Sequence, residues 1–379
     1  MRSRPFGYFV HHQGRGHAER CAAIVNALPE DRPVTIFCAR TDIFPDLPAR
    51  VRVLRIPSLF EPEDEPSPPA LDEVETPETL HCAPLGWRTI RQAVATLTGW
   101  FASENPALFV VDVSAELAQL ARIASVPAVK IVQHGDRSDP GHQAAYRASA
   151  GLLAPWHEAL ADPAMPDWMR GKMHFAGGLG VSVALPGKAE ARRTLGLEPD
   201  RRLVVTVAGA GGEGLVTTPL SMAARLDPET RYAVIGRTAQ AWHETPPGNL
   251  DCRGWVSNPQ DWIAAADVVI SSTGNTTVQM VATAGRPWLV IPEWRYYDEQ
   301  GDKARRLAAI HAAHLCETWP ASPAQWRAAL DGARAVDLDA QRSLTGGDAA
   351  AGTAEWLEGL SERLWTLPRT RPTLVEAAE

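Results

Sequence analysis

The sequence predicts an α/β protein of two parallel-sheet domains facing a cleft, and three observations carry that expectation. The chain has 379 residues, more than one core usually organises, since domains run roughly 100–200 residues. Short apolar runs alternate with helical patterns in two successive series, the grammar of parallel strands joined by crossover helices. Each series also sets a glycine-rich turn directly after its first strand: Gln13-Gly-Arg-Gly-His17 in the first and Ala208-Gly-Ala-Gly-Gly-Glu-Gly214 in the second.

In the first series the apolar run at 8–10 reads as a strand, and the pattern at 17–28 as the helix that follows its turn. Strands continue at 34–38 and 51–56. From 61 to 84 the chain is acidic and proline-rich, with Glu-Pro-Glu-Asp-Glu-Pro-Ser-Pro-Pro at its start. So little apolar surface cannot form a core element, and the stretch reads as a long mobile loop, either a flap or a disordered insertion. Trp87, Ile90, Val94, Leu97 and Phe101 at helical spacing mark a helix at 87–101, with Arg88 and Arg91 close by. Core packing is the first reading of that stripe, and a membrane-docking face the second. A strand at 108–113, a helix at 116–124, a strand at 128–132 and an apolar run at 151–154 complete the series.

Around Gly177-Gly-Leu-Gly180 and Pro186-Gly-Lys188 the pattern breaks, which divides the chain into a first domain at 1–183 and a second at 184–350. The second series reads as strand 203–207, glycine loop 209–214, helix to 225, strand 232–235 and a strand near 252–256. It continues as helix 259–266, strand 268–271, helix 276–284, strand 288–291 and helix 300–312. An amphipathic helix at 354–364 and a proline-rich tail, expected to be loose, make up 351–379.

Composition narrows the function classes. No apolar run approaches the ~18–20 residues of a membrane span, and the basic start leads into only a short apolar stretch, so neither a span nor an export signal is read. Five scattered cysteines, none spaced C-x-x-C, argue against a disulfide framework and a structural zinc site; the cytoplasm fits best. A net charge of −8 speaks against nucleic-acid binding, because backbone affinity is built from clustered Lys and Arg.

Chemistry concentrates at four places. Gly14 and Gly16 in the first turn, and Gly209, Gly211 and Gly212 in the second, let the backbone approach a ligand. The helix N-terminus behind each offers N–H groups to an anion such as a diphosphate, although a tight strand-to-helix turn needs glycine even without one. The first turn is not a complete dinucleotide fingerprint: the third glycine is missing and Asp42 lies several residues past the next strand. His17 sits at the mouth of that turn, where a neutral imidazole can take a proton from a hydroxyl; capping its helix is the plainer alternative. Asp112, His134 and Asp136 fall at the same carboxyl edge of the first sheet, and serve as alternative acid–base candidates or as turn formers. In the second half, Ser272, Thr273, Gly274, Asn275 and Thr276 crowd the N-terminus of a helix with hydroxyls and an amide, which makes an anion seat. Asp298 and Gln300 open a later helix with a carboxylate and an amide able to grip sugar hydroxyls.

The segment from Gly254 to Lys303 resembles the donor-binding half of the MurG-like GT-B glycosyltransferases, whose two domains are Rossmann-like. The resemblance places Trp255 and Val256 at the nucleobase slot, Gly274 at the phosphate turn, Gly285 and Pro287 on an A-G-x-P step, and Asp298 with Gln300 on a D-x-Q sugar clamp. The glycine turns at 14–17 and 209–214 match the family's first and second. It implies an inverting, metal-independent transfer from a nucleotide diphosphate sugar, UDP-linked with Val256 meeting the base through its backbone. No cofactor beyond that cosubstrate is implied, and the absence of an Asp-x-Asp at a strand end agrees. His17 is the first choice of base.

One residue departs from the pattern. Where the family carries a ribose-binding glutamate, this chain has Met280, and a thioether cannot accept two hydroxyls. Either Gln279 or another group does that work, or the donor differs from UDP-N-acetylglucosamine. Gly14-Arg-Gly-His-Ala-Glu-Arg-Cys21 also looks like the start of MurG-like hydrolases that strip nucleotide from an amino-sugar donor, and a non-catalytic sugar-nucleotide sensor is the third reading. The acceptor, lipid-linked or a small molecule met through the 61–84 loop, is not legible; peripheral contact with the inner membrane face is the most that is implied.

Overall fold

The computed structural model describes residues 3–62, 67–180, 185–209, 215–239 and 245–365. Its first half runs β1 (Phe6–Phe9), α1 (Arg15–Ala27), β2 (Val34–Cys38), β3 (Val51–Arg55), α2 (Pro69–Asp72), α3 (Arg88–Glu104), β4 (Leu108–Val111), α4 (Ala115–Ile123), β5 (Ala128–Ile131), α5 (Pro140–Ala148), β6 (Gly151–Ala154), α6 (Asp167–Arg170) and β7 (Met173–Phe175). The second runs α7 (Lys188–Thr194), β8 (Leu203–Val207), β9 (Leu215–Val216), α8 (Thr218–Leu226), β10 (Arg231–Ile235), β11 (Thr238–Ala239), β12 (Leu250–Gly254), α9 (Pro259–Ala265), β13 (Val268–Ser271), α10 (Asn275–Ala284), β14 (Trp288–Val290), α11 (Glu299–Ala309), β15 (His314–Leu315), α12 (Pro323–Arg334), α13 (Leu338–Ser343) and α14 (Ala349–Trp365).

Both expected parallel sheets are present. The first has the order β3-β2-β1-β4-β5-β6-β7, the second β12-β10-β8-β13-β14-β15. Strands such as Leu108–Val111 and Val268–Ser271 are buried along their whole length, as strands covered by helices on both faces must be. In each sheet the strand order reverses at one point, where a crevice opens beyond the carboxyl ends. In the first sheet that point lies between β1 and β4, where Phe9 stands opposite Val111. In the second it lies between β8 and β13, with Val207 opposite Ser271.

The apolar stripe of α3 is spent inward: Ala93, Leu97, Trp100 and Phe101 join Phe37 and Phe109 in one cluster. The loop expected to be mobile is anchored in its later part. Glu116, at the start of α4, accepts the backbone N–H of His81 and Cys82 at 2.7 and 2.8 Å, and Gln119 donates to the carbonyl of Thr79 at 2.9 Å. Its residues 63–66 lie outside those described.

The last helix crosses back to the first sheet. Ala354, Leu357 and Leu360 of α14 bury against Phe6, Ile24 and Val25, and Arg32 pairs with Glu358 at 2.5 Å. The tail beyond 365 and the expected boundary at 183/184 lie outside the described residues. Among those residues no helix is long and apolar enough to cross a membrane.

Candidate active site

Because β1 and β4 are neighbours, the two chains leaving their carboxyl ends emerge side by side. The first turns at Gly14, whose φ of 91° suits glycine, and enters α1, placing His17 in the first turn of the helix. The second ends in Asp112, whose N–H bonds the carbonyl of Phe9 at 3.1 Å. The next residue, Val113, has a φ of 60°, a strained value for a β-branched side chain at the point where the carboxylate is aimed. His17 Nδ1 lies 2.5 Å from Asp112 Oδ2, and Arg20, one turn further along α1, donates to Oδ1 at 2.8 Å.

Asp112 is 1% exposed. Burial alone would raise its pKa, but the Arg20 guanidinium and then His17 overcome it and hold the carboxyl well below the usual carboxylate range. Lys130 is buried behind it on β5 and donates to the carbonyl of Ile131 at 2.8 Å. Burial pushes this lysine down to about 8, against the pull of Asp112.

The facing wall comes from the second domain. Gly274 precedes α10, and a Cβ added to Gly16 would stand 3.4 Å from Thr276 Oγ1, so the N-termini of α1 and α10 approach each other across the cleft. Thr273 donates to the carbonyl of Gln300 at 3.0 Å, and the buried Lys303 donates to the carbonyl of Thr273 at 3.1 Å and to Asn275. Burial lowers Lys303 to about 8. The cleft between the walls has a volume of about 280 Å³; Gln13, Gly14, Gly16, His17 and Arg20 line one side, and Thr273, Gly274, Asn275, Thr276, Arg295, Glu299 and Gln300 the other. Ser272 lies just before that turn, half-buried and outside the lining.

The remaining predicted residues scatter. Asp298 turns outward to Arg305 and is absent from the lining, whereas the adjacent Glu299 lines the cleft and lies 3.4 Å from Arg137. Tyr297 and Asp298 both adopt left-handed backbone, φ 61° and 54°, and with this twist Glu299, rather than Asp298, lines the cleft. Gln300 stays in the wall, its Oε1 accepting the N–H of Glu293 at 2.9 Å. Met280 packs in the core of the second domain, and Gln279 is buried against Gly178 in a separate crevice, so neither faces the cleft. Trp255, 67% exposed, follows β12, and Val256 packs beside it against the core. Gly209 lies two residues past the end of β8; Gly211 and Gly212 lie outside the described residues.

His134 and Asp136 belong to a neighbouring cavity of about 430 Å³, which shares Val132 and Gln133 with the cleft. His134 packs on Trp156, ring centroids 3.9 Å apart and planes tilted by 30°, and burial pushes its imidazole down to about 3. Asp136 is exposed and accepts the N–H of Ser138 at 3.0 Å. Arg20 and Glu299 line the cleft and Lys303 braces its α10 wall, and sequence reasoning singled out none of the three. Only Arg20 carried a signal, one helical turn from His17.

No known family profile matches the chain. The UDP-N-acetylglucosamine–N-acetylmuramyl-(pentapeptide) pyrophosphoryl-undecaprenol N-acetylglucosamine transferase of Bordetella petrii is 32% identical over 154 residues, 38% of this chain and 42% of that protein. The match therefore spans less than half the length of that relative. Among solved structures, the glycotransferase of kitacinnamycin has a TM-score of 0.65 at 16% identity, covering 95% of this chain and 100% of its own. The calicheamicin glycosyltransferase CalG4 has 0.61 at 14% identity, covering 96% and 100%, and Acinetobacter baumannii MurG has 0.58 at 14%, covering 94% and 99%. At such identities the likeness is one of fold, and the chain has the two-domain GT-B fold of these proteins.

Proposed function

We propose that this chain, built on the GT-B fold of the MurG-type transferases, moves a sugar from a UDP-type nucleotide diphosphate sugar to an acceptor hydroxyl, with inversion at the anomeric carbon. The observation that carries this reading is the His17–Asp112 pair set opposite the N-terminus of α10. Asp112 accepts the Nδ1–H of His17, which leaves Nε2 to take the acceptor's proton. As the hydroxyl oxygen bonds to the anomeric carbon, the bond from that carbon to the diphosphate oxygen breaks. The N–H groups at the start of α10, with the helix's partial positive charge, receive the departing diphosphate. Arg20 shares the charge of Asp112, whose carboxylate orients the imidazole.

Glu299 is the only carboxylate among the described lining residues, and it faces Arg137. The reading therefore assigns diphosphate charge to backbone and helix rather than to a metal, and sugar hydroxyls to Glu299 and Gln300. The adjoining cavity favours transfer over hydrolysis: Tyr146, Trp156, Met165 and Met169 offer an apolar bed for an acceptor body. The enzyme of this reading works in the cytoplasm, with at most peripheral contact with the membrane.

The test is a thermal-shift titration against UDP, dTDP, GDP, CMP and their sugar conjugates, with and without EDTA, followed by assay of nucleotide release. A ligand at ~100 times its dissociation constant adds ~2.7 kcal/mol. A shift by one nucleotide family that survives EDTA, with release that requires an acceptor, supports the proposal. Release into water alone would favour hydrolysis, and no shift at millimolar ligand would overturn the donor site.

A further inference from the structure

Outside the cleft, three side chains of the kinds that bind transition metals converge where the two domains meet. Asp139 caps α5, His142 lies in the first turn of that helix, and His81 reaches both from the stretch between α2 and α3. One ligand atom from each lies within 4.8 Å of the other two. Asp139 Oδ1 is 2.7 Å from His81 Nε2, and Oδ2 is 2.6 Å from His142 Nδ1. Side-chain exposures of 19% for His81, 31% for Asp139 and 6% for His142 leave the cluster shielded but open on one face.

Two observations distinguish it from a cluster of side chains that simply hydrogen-bond one another. His81 Nε2 is buried and makes no aligned hydrogen bond, although a carboxylate oxygen stands 2.7 Å away. Its other ring nitrogen is already partnered by the Tyr297 hydroxyl at 2.9 Å. A buried nitrogen pressed on a carboxylate with no proton in line is unfavourable, and a cation between them removes the conflict. The second observation is Gly141. A Cβ there would lie 2.3 Å from His81 Nε2. The φ of Gly141 is not positive, so the backbone does not require glycine, and alanine would favour the helix by ~1 kcal/mol. What the glycine secures is room for His81.

We propose that His81 Nε2, an Asp139 oxygen and His142 Nδ1 bind a divalent transition-metal cation of the zinc class. Two imidazoles and one carboxylate suit zinc, cobalt or nickel, whereas magnesium and calcium take oxygen ligands. Water completes the coordination on the open face. Tyr297 orients His81 from behind, as an outer partner of a metal ligand does. The ion therefore fixes the 67–84 stretch to α5 and, through Tyr297, to the second domain. His142 Nε2, 3.3 Å from Arg137, becomes the protonated nitrogen when Nδ1 is metal-bound and no longer accepts from that guanidinium, while Arg137 keeps its bond to the carbonyl of His134 and its pairing with Glu299. None of the three ligands lines the His17 cleft, so the site is a staple whose existence does not depend on the proposed transfer.

The test uses the full chain without an affinity tag, stripped with chelator, dialysed and titrated with Co²⁺. A visible absorption band saturating at one equivalent and abolished by Zn²⁺ is expected. Gly141→Ala alters no ligand and favours α5, yet it should weaken Co²⁺ at least about tenfold by displacing His81, and His81→Gln should do the same. Zn²⁺ should raise the melting temperature of the parent chain and not that of either variant. No band up to millimolar Co²⁺, or an unchanged affinity in either variant, overturns the site.

Discussion

Gly135 and Tyr297 meet backbone to backbone across the two domains: a Cβ on Gly135 would stand 2.1 Å from the Tyr297 carbonyl oxygen, which accepts the N–H of Asp136 at 2.8 Å. Gly135 also has a φ of 93°, so both space and backbone restrict the position to glycine. Gly135→Ala must strain the loop or part the domains there. A loss of about 1–3 kcal/mol is expected in thermal or denaturant unfolding. An unchanged midpoint would show that the contact is not maintained in solution.

The dyad separates catalysis from stability. His17→Ala should cut turnover by roughly 10²–10⁴-fold while leaving nucleotide affinity near the parent value. Asp112→Asn should also slow turnover, and in addition it leaves the buried Arg20 without its counter-charge, which costs ~3–5 kcal/mol. Paired kinetics and unfolding curves check this. Equal destabilisation by both substitutions would assign His17 to structure.

The one-residue twist before α11 predicts an asymmetry. Glu299→Gln and Gln300→Ala should weaken binding of the sugar nucleotide more than that of the bare nucleotide, because the proposed function gives these side chains to the sugar hydroxyls and not to the nucleotide. Asp298→Asn, facing Arg305, should change neither by more than about twofold, the scale of an exposed ion pair. Calorimetric titration with both ligands decides, and a larger effect at Asp298 would restore the register expected from sequence.

His134 makes stability depend on pH with a definite sign. An imidazole in the unfolded chain titrates near ~6.5. In the fold, burial beneath Trp156 outweighs the pull of Asp302 and brings His134 to about 3. Between those values only the unfolded chain binds the proton. The contribution is thus complete above ~6.5 and is lost as pH falls toward about 3, by up to ~1.4 kcal/mol per unit. Melting temperatures should drop on acidification through that window, and His134→Phe should flatten the slope. A parallel curve in the variant would place the acid sensitivity elsewhere.

The candidate site was partly legible. Glycine at 14 and 16 and the histidine after them advertised the first turn, because a tight strand-to-helix turn leaves a local trace. The hydroxyl-rich start of α10 did so for the second. Asp298 was expected at the clamp, yet Glu299 is the one that lines the cleft, because left-handed backbone at two successive non-glycine residues is not marked in the sequence. Met280 looked like a damaged ribose ligand, yet it faces the core, since the orientation of α10 is set by packing on its neighbours.

By itself the sequence determined two parallel α/β sheets, the glycine turns at their leading edges and the chemistry of the residues there. Periodicity and backbone permissiveness are local properties, and they can be read from neighbours along the chain. Only the tertiary structure decided that His17 meets Asp112, that α14 returns to the first sheet, and that His81, Asp139 and His142 converge. Those pairings follow from strand order and from which helix faces are buried, and both are settled by contacts between segments far apart in sequence.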